Sequence, residues 1–163
     1  MRAIKDSVHD YIEVEGVAAD LLDTEAFQRL RHVKQLSTVR LVYPSANHTR
    51  FEHSIGVYHL ARRACRHLGI DGSRAEAVEA AALLHDVGHG PYGHQTEGVI
   101  ERRLGRHHDD VHDIIATGEV GRVLESHGLD TDAVADRIDG QGRLGQLVSG
   151  ELDVDRMDYL VRD

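Results

Sequence analysis

Apolar residues recur along most of this chain at intervals of three and four, the spacing of one helix face, and only one short stretch alternates as a strand does. That stretch is DYIEV at 10–14, where Tyr11, Ile12 and Val14 predict a short strand or hairpin too small to found a sheet. The remainder reads as helices joined by short loops, which predicts an all-α domain, a helical bundle. Asp23 or Thr24 can cap a first helix running to about Leu36, and Tyr43-Pro44-Ser45-Ala46-Asn47 then reads as a loop. A helix from about Arg50 to Leu68 carries Val57, Leu60, Ala61, Ala64 and Leu68 on one face and ends at Gly69. The next, capped by Ser73, aligns Val78, Ala82 and His85 on one stripe before Gly88, Gly90 and Pro91 break it.

Shorter helices are expected at 94–104, 109–116, 119–126 and 131–138, with GQGRLG at 140–145 as the most linker-like segment. A final helix begins near Leu144 or after Gly150 and is still running at Asp163. It has no C-cap signal, so the chain is expected to be a fragment or short form of a longer protein.

Length and composition narrow the class. The 163 residues fit one domain, 1–163, large enough to bury an apolar core without disulfides, and Cys65 is the only cysteine. No run approaches a membrane span, and MRAIKDSVHDYIEV lacks the apolar stretch of a signal peptide, so a soluble, cytoplasmic protein is expected. The net charge of -9 argues against general binding to nucleic-acid backbones or anionic membranes. An anionic substrate must then be held by local cations or a metal. The 13 histidines cluster at 85–94 and 107–112, which marks a site.

His53 lies one turn before Val57 on the inward face of its helix, and His85 sits on the apolar stripe of the next. Asp155 follows Val148 and Leu152 on a similar stripe if the last helix starts early enough to include them. A single histidine on an apolar face is more often a hydrogen-bonded core residue than a ligand. Polar groups from three helices, all pointing inward, instead require a common partner, because unpaired buried charge is costly. A divalent metal ion (Mn, Mg, Fe, Ni or Zn) supplies one, and Asp86, beside the glycine turn, can serve as a fourth ligand or bridge two ions.

The stretches FQRLRHVKQLSTVRLVYPSANHTRFEHSIGVYHLA, AALLHDVGHGPYGHQTE and LDVDRMDYLVRD closely resemble the HD-domain deoxynucleoside triphosphate triphosphohydrolases, the group that includes the SAM- and HD-domain enzymes of animals and the bacterial dGTPases. The resemblance runs from IKDSVHDYIEV to the end, with three long motifs in order. It implies metal ligation by His53, His85, Asp86 and Asp155, in agreement with the reading of the helix faces. It further implies active-site roles for His89, His94, Glu97 and His108, deoxyribose contacts for Gln35 and Leu36, phosphate contacts for Arg50 and Arg156, and closure over the sugar by Tyr159 and Asp163. The implied reaction is hydrolysis of a dNTP to deoxynucleoside and inorganic triphosphate, by a protein that can form a homo-oligomer. Alternatives are an HD phosphohydrolase acting on another nucleotide or a phosphodiester, and a non-catalytic nucleotide-binding or regulatory fragment.

Overall fold

The computed structural model describes residues 1–92, 97–105 and 111–163, apart from the side chains of residues 97, 100 and 104. His94 and His108 lie outside the described residues, and Glu97 is placed only as the first residue of a helix. The expected all-α architecture is what forms, preceded by one hairpin. Strands β1 (Arg2–Asp6) and β2 (Asp10–Val14) pair antiparallel, with Arg2 opposite Val14 and Asp6 opposite Asp10. The alternation at 10–14 predicts β2; its partner RAIKD carries too little pattern to be identified alone. The Asp6 carboxylate closes the turn by accepting from the Val8 and His9 amides at 2.9 and 2.8 Å.

The helices are α1 (Gly16–Leu21), α2 (Glu25–Gln28), α3 (Arg50–Leu68), α4 (Gly72–Leu84), α5 (Glu97–Leu104), α6 (His112–Ala116), α7 (Gly118–Ser126), α8 (Thr131–Ile138), α9 (Gly142–Gly145) and α10 (Val154–Arg162). Helix α4 is the centre: Ala75, Ala77, Val78 and every residue from 80 to 84 are buried, so it is apolar nearly all round, as an interior helix must be. It packs against α3, α8 and α1, while α10 lies on α3. A capping box starts α3: Thr49 Oγ1 accepts from the Glu52 amide, and the Glu52 carboxylate accepts from the Thr49 amide at 2.6 Å. Gly69, at φ 66°, ends it in the left-handed conformation, and the Ile70 amide returns to the Cys65 carbonyl.

Four expectations are corrected. The helix expected from residue 24 to Leu36 is only α2, continued by 3-10 turns at Arg29–His32 and Ser37–Leu41. The backbone of 33–35 is instead taken up by the segment before α3: the Arg50 amide bonds the Val33 carbonyl, the Gln35 amide bonds the His48 carbonyl, and Lys34 bridges Thr49. Helix α4 starts at Gly72 rather than after Ser73, because the Ala75 amide already reaches the Asp71 carbonyl. The linker-like GQGRLG contains α9, packed on α8, and of the two starts expected for the last helix the later one holds, at Val154 after Gly150. Val148 is buried outside α10, and Leu152 is 70% exposed, so Asp155 does not sit on an apolar stripe with them. No described helix is long and apolar enough to cross a membrane.

Candidate metal centre

Three elements deliver the expected ligands to one place. His53 projects from the first turn of α3 and is fully buried; His85 and Asp86 follow the last turn of α4; Asp155 projects from the first turn of α10. Donor atoms of His53, His85 and Asp86 lie within 4.8 Å of one another. Asp155 closes toward them, its Oδ1 2.9 Å from His53 Nε2 and 3.6 Å from His85 Nε2. Further separations are 3.4 Å between His85 Nε2 and Asp86 Oδ1 and 3.9 Å between His53 Nε2 and Asp86 Oδ2. Donors bound at about 2.1 Å to one ion stand roughly 3.0–3.4 Å apart at tetrahedral or octahedral angles, so these spacings fit a divalent cation.

The imidazoles are turned for that use. His85 Nδ1 is engaged by the Ala82 carbonyl at 2.8 Å, and His53 Nδ1 by the Asp158 carboxylate at 2.8 Å. Both Nε2 atoms are left buried without a directed hydrogen bond, although the His53 atom is close to Asp155. Histidines whose Nδ1–H is tied down present a bare Nε2 to a metal, the arrangement outer-shell carboxylates and carbonyls commonly enforce.

The charges agree. Burial disfavours a cationic His53, but Asp155, Asp158 and Asp86 outweigh it and raise its pKa to about 9. His85 is raised against burial by Asp86 and Asp155. Burial would raise Asp86, yet His85, His89, Arg50 and His53 hold its carboxyl well below the usual carboxylate range. Asp155 is depressed in the same way by His53 and His85, again against burial. The field at this point favours positive charge, whether a proton or a metal ion.

The centre lines a cavity of about 580 Å³. Gln35, Leu36, Arg50, His89, Tyr159 and Asp163 share its wall, placed there by the stretch between the two 3-10 turns, by α3, by the turn after α4, and by α10 with the residue that follows it. Arg50 is not wholly free for a ligand: its Nη1 donates to Asp86 Oδ2 at 2.6 Å, and both side chains are buried. His89 Nε2 lies 3.3 Å from Asp86 Oδ1. Asp163 accepts from His48 Nε2 at 2.7 Å. Arg156 is the exception to the expected set, since it does not line the cavity. It follows Asp155 by one residue and is rotated about 100° around α10, where its exposed side chain donates to the Glu151 carbonyl.

Sequence reading missed Ile138, Asp139, Val148 and Ser149 on the wall, and Asp158 behind His53. The available signal for Asp158 was its spacing: Asp155, Asp158, Tyr159 and Arg162 fall at i, i+3, i+4 and i+7 on one face of α10. Asp153 was also missed. Its carboxylate caps α10, accepting from the Arg156 amide at 2.7 Å and the Gly150 amide at 2.8 Å. Asp153→Ala is expected to cost about 1 kcal/mol of stability, the usual value of an N-cap. Because Asp155 occupies the turn so capped, metal affinity should fall as well; titration with Mn²⁺ beside a denaturant melt checks both, and unchanged affinity would separate the cap from the site.

The HD domain family model matches residues 50–163, from the start of α3 through α10. The chain belongs to the HD domain family. Over 168 residues it is 38% identical to an uncharacterized protein of Methanocaldococcus jannaschii, covering 100% of this chain and 33% of the relative. The deoxynucleoside triphosphate triphosphohydrolase SAMHD1 homolog of Dictyostelium discoideum is 34% identical over 187 residues, covering 99% of this chain and 36% of that protein. Among solved structures, a hypothetical protein of Aquifex aeolicus superimposes with a TM-score of 0.87 at 36% identity, covering 99% of this chain and 45% of the other. A phosphohydrolase of Bacteroides thetaiotaomicron gives 0.83, also at 36% identity, covering 99% and 41%. The chain thus spans less than half the length of these relatives, between 33% and 45%. Divalent metal is the cofactor of such domains, and His53, His85 and Asp86 are positioned here to hold one.

Proposed function

We propose that this HD domain is a metal-dependent phosphohydrolase whose substrate is a deoxynucleoside triphosphate, cleaved to deoxynucleoside and inorganic triphosphate. The observation that carries the reading is a cavity of about 580 Å³, which has the His53, His85, Asp86 and Asp155 cluster on its wall and volume for a nucleotide beside it. His53, His85, Asp86 and Asp155 would hold the ion, which when bound lowers the pKa of water and neutralises phosphoryl oxygens. In the reaction a water oxygen bonds to the α-phosphorus and the bond from that phosphorus to the nucleoside 5′-oxygen breaks. The leaving oxygen takes up a proton. His89, on the cavity wall beside Asp86, is the described imidazole nearest that task, with His94, Glu97 and His108 as the further groups proposed from the family resemblance.

Gln35 and Leu36 offer an amide and an apolar surface to a sugar, and Tyr159 with Asp163 faces them as acceptors for a 3′-hydroxyl. The relatedness to a triphosphohydrolase homolog of Dictyostelium discoideum supports this substrate class. A second reading, an ester with fewer charges such as a nucleoside monophosphate or phosphodiester, is favoured by one observation. Among the described residues Arg50 is the only arginine or lysine on the wall, it already donates to Asp86, and Asp139, Asp155 and Asp163 are also present. The test is incubation of the chain with each dNTP and Mn²⁺ or Mg²⁺, followed by chromatography of products. Equal amounts of deoxynucleoside and inorganic triphosphate are expected. Orthophosphate or pyrophosphate as the first product, or turnover confined to monophosphates and diesters, would reject the triphosphohydrolase reading. Metal binding without turnover of any ester would mean a binding module.

A further inference from the structure

Behind His53, on the side away from the cavity, lies a second set of charges that the proposed reaction does not use. Asp158 is completely buried and accepts four hydrogen bonds, two on each oxygen. Its Oδ2 takes His53 Nδ1 at 2.8 Å and Arg162 Nε at 2.7 Å; its Oδ1 takes His9 Nε2 at 2.7 Å and Arg162 Nη2 at 3.1 Å. A carboxylate so saturated has no freedom to turn. Arg162 in turn has a side chain only 1% exposed and spends its other edge on Asp6, with Nη1 at 2.9 Å from Oδ2 and Nη2 at 3.1 Å from Oδ1. Asp6 is fixed independently by the turn amides of Val8 and His9. The chain therefore runs from the β1–β2 turn, through α10, to a histidine of α3.

We propose that Asp6, Arg162 and Asp158 form a buried positioning chain that aims His53 Nε2 at the metal position and couples metal binding to docking of the N-terminal hairpin. The proposal rests on the metal-binding reading above. Its physical basis is that a histidine ligand is oriented by whatever its other nitrogen bonds, and that the orienting group acts only as well as it is itself held. Asp158 is held by a two-pronged guanidinium contact, and the guanidinium is held by a second carboxylate on a different element. Without Asp6, Arg162 would be a buried cation sharing one carboxylate with two imidazoles. By linkage, if the docked hairpin tightens metal binding, bound metal must tighten hairpin docking by the same factor.

The test uses the full chain and Mn²⁺ alone, measured by calorimetry, together with NMR of the His53 Nδ1–H proton, which a charged acceptor shifts far downfield. Asp158→Asn keeps the shape and removes the charge; it should weaken Mn²⁺ binding by about 10–100-fold, the usual cost of an outer-shell partner, and move or abolish the Nδ1–H signal. Asp6→Asn, on the hairpin and able still to accept from the Val8 and His9 amides, should fold normally and weaken binding by a smaller factor of about 3–10. In the unaltered protein, saturating Mn²⁺ should slow amide exchange across residues 2–14, and Asp6→Asn should remove that protection. Unchanged affinity and an unchanged Nδ1–H signal in Asp158→Asn would overturn the positioning role. Should that variant fail to fold, Asp6→Asn with unaltered affinity and retained metal-linked protection would overturn the coupling. If the unaltered protein binds no divalent ion, the metal reading fails, while the proton signal still decides whether Asp158 positions His53.

Discussion

Asp155→Ala is expected to leave the protein folded and to abolish both metal retention and turnover. Asp155 sits in the first turn of α10 with its side chain 36% exposed, and its near neighbours are His53 and His85. Its removal strands no buried cation that lacks another acid nearby, since Asp86 and Asp158 remain against the two imidazoles. The stability change should stay within about 1 kcal/mol. Metal affinity should fall by more than about a hundredfold, beyond the loss that an outer-shell partner brings. Asp86→Ala is a poorer test of the same idea. It deletes the carboxylate that receives Arg50 Nη1, and Arg50 is 4% exposed, so the variant leaves an uncompensated buried guanidinium at a cost of about 3–5 kcal/mol. Metal content by mass spectrometry, product formation and thermal melting distinguish the cases. An Asp155→Ala protein that keeps its metal and hydrolyses substrate would remove Asp155 from the site.

The second large effect is expected from one methyl group. Gly56 lies one turn after His53 on α3, and a β-carbon there would fall far inside contact distance of the Asp158 carboxylate and the Arg162 guanidinium. Neither side chain can retreat, because both are buried and committed at both ends. Gly56→Ala should therefore break the ion pair or push α10 from α3, with a loss of about 3–5 kcal/mol and a fall in melting temperature of roughly 10 °C. Metal binding should be lost in step, since α10 carries Asp155. Gly98→Ala is the control: a helical position in the first turn of α5 with no atom of the described residues within 4 Å of an added β-carbon, expected to melt unchanged or slightly higher. A Gly56→Ala protein as stable as the control would show that α3 and α10 are not locked at this point.

The helices legible in the sequence are those whose burial follows one face. Helix α3 was readable at both ends, from the apolar positions between Val57 and Leu68 and from Gly69, and α4 from its apolar length up to His85. The candidate ligands His53 and His85 could be singled out because they are polar residues on apolar faces, and Asp86 because it follows His85 at the glycine turn and completes the HD pair. Helix α10 resisted the same logic, because its polarity is reversed. Met157, Leu160 and Val161 are 43%, 69% and 63% exposed, while Asp158 and Arg162 are turned inward. Periodicity locates an apolar stripe but carries no information on which side the neighbouring helix lies.

What the sequence determined by itself is the helical class, the span of α3, the apolar run of α4 up to His85 and the chemistry available for a metal, since all of these follow from local spacing and residue type. Three things were decided only by tertiary structure. The segment 33–36 leaves helical geometry because the chain before α3 competes for its backbone hydrogen bonds, and this brings Gln35 and Leu36 to the cavity. Arg156 faces solvent while Asp155 faces the cavity because Asp153 caps α10 and the helix starts at Val154, which sets the rotation of every later residue. Asp158 becomes the partner of His53 only because Gly56 lets α10 approach α3 closely enough for a carboxylate 105 positions away to reach an imidazole. Such a contact depends on the separation and rotation of two helices, and neither quantity is encoded within either helix alone.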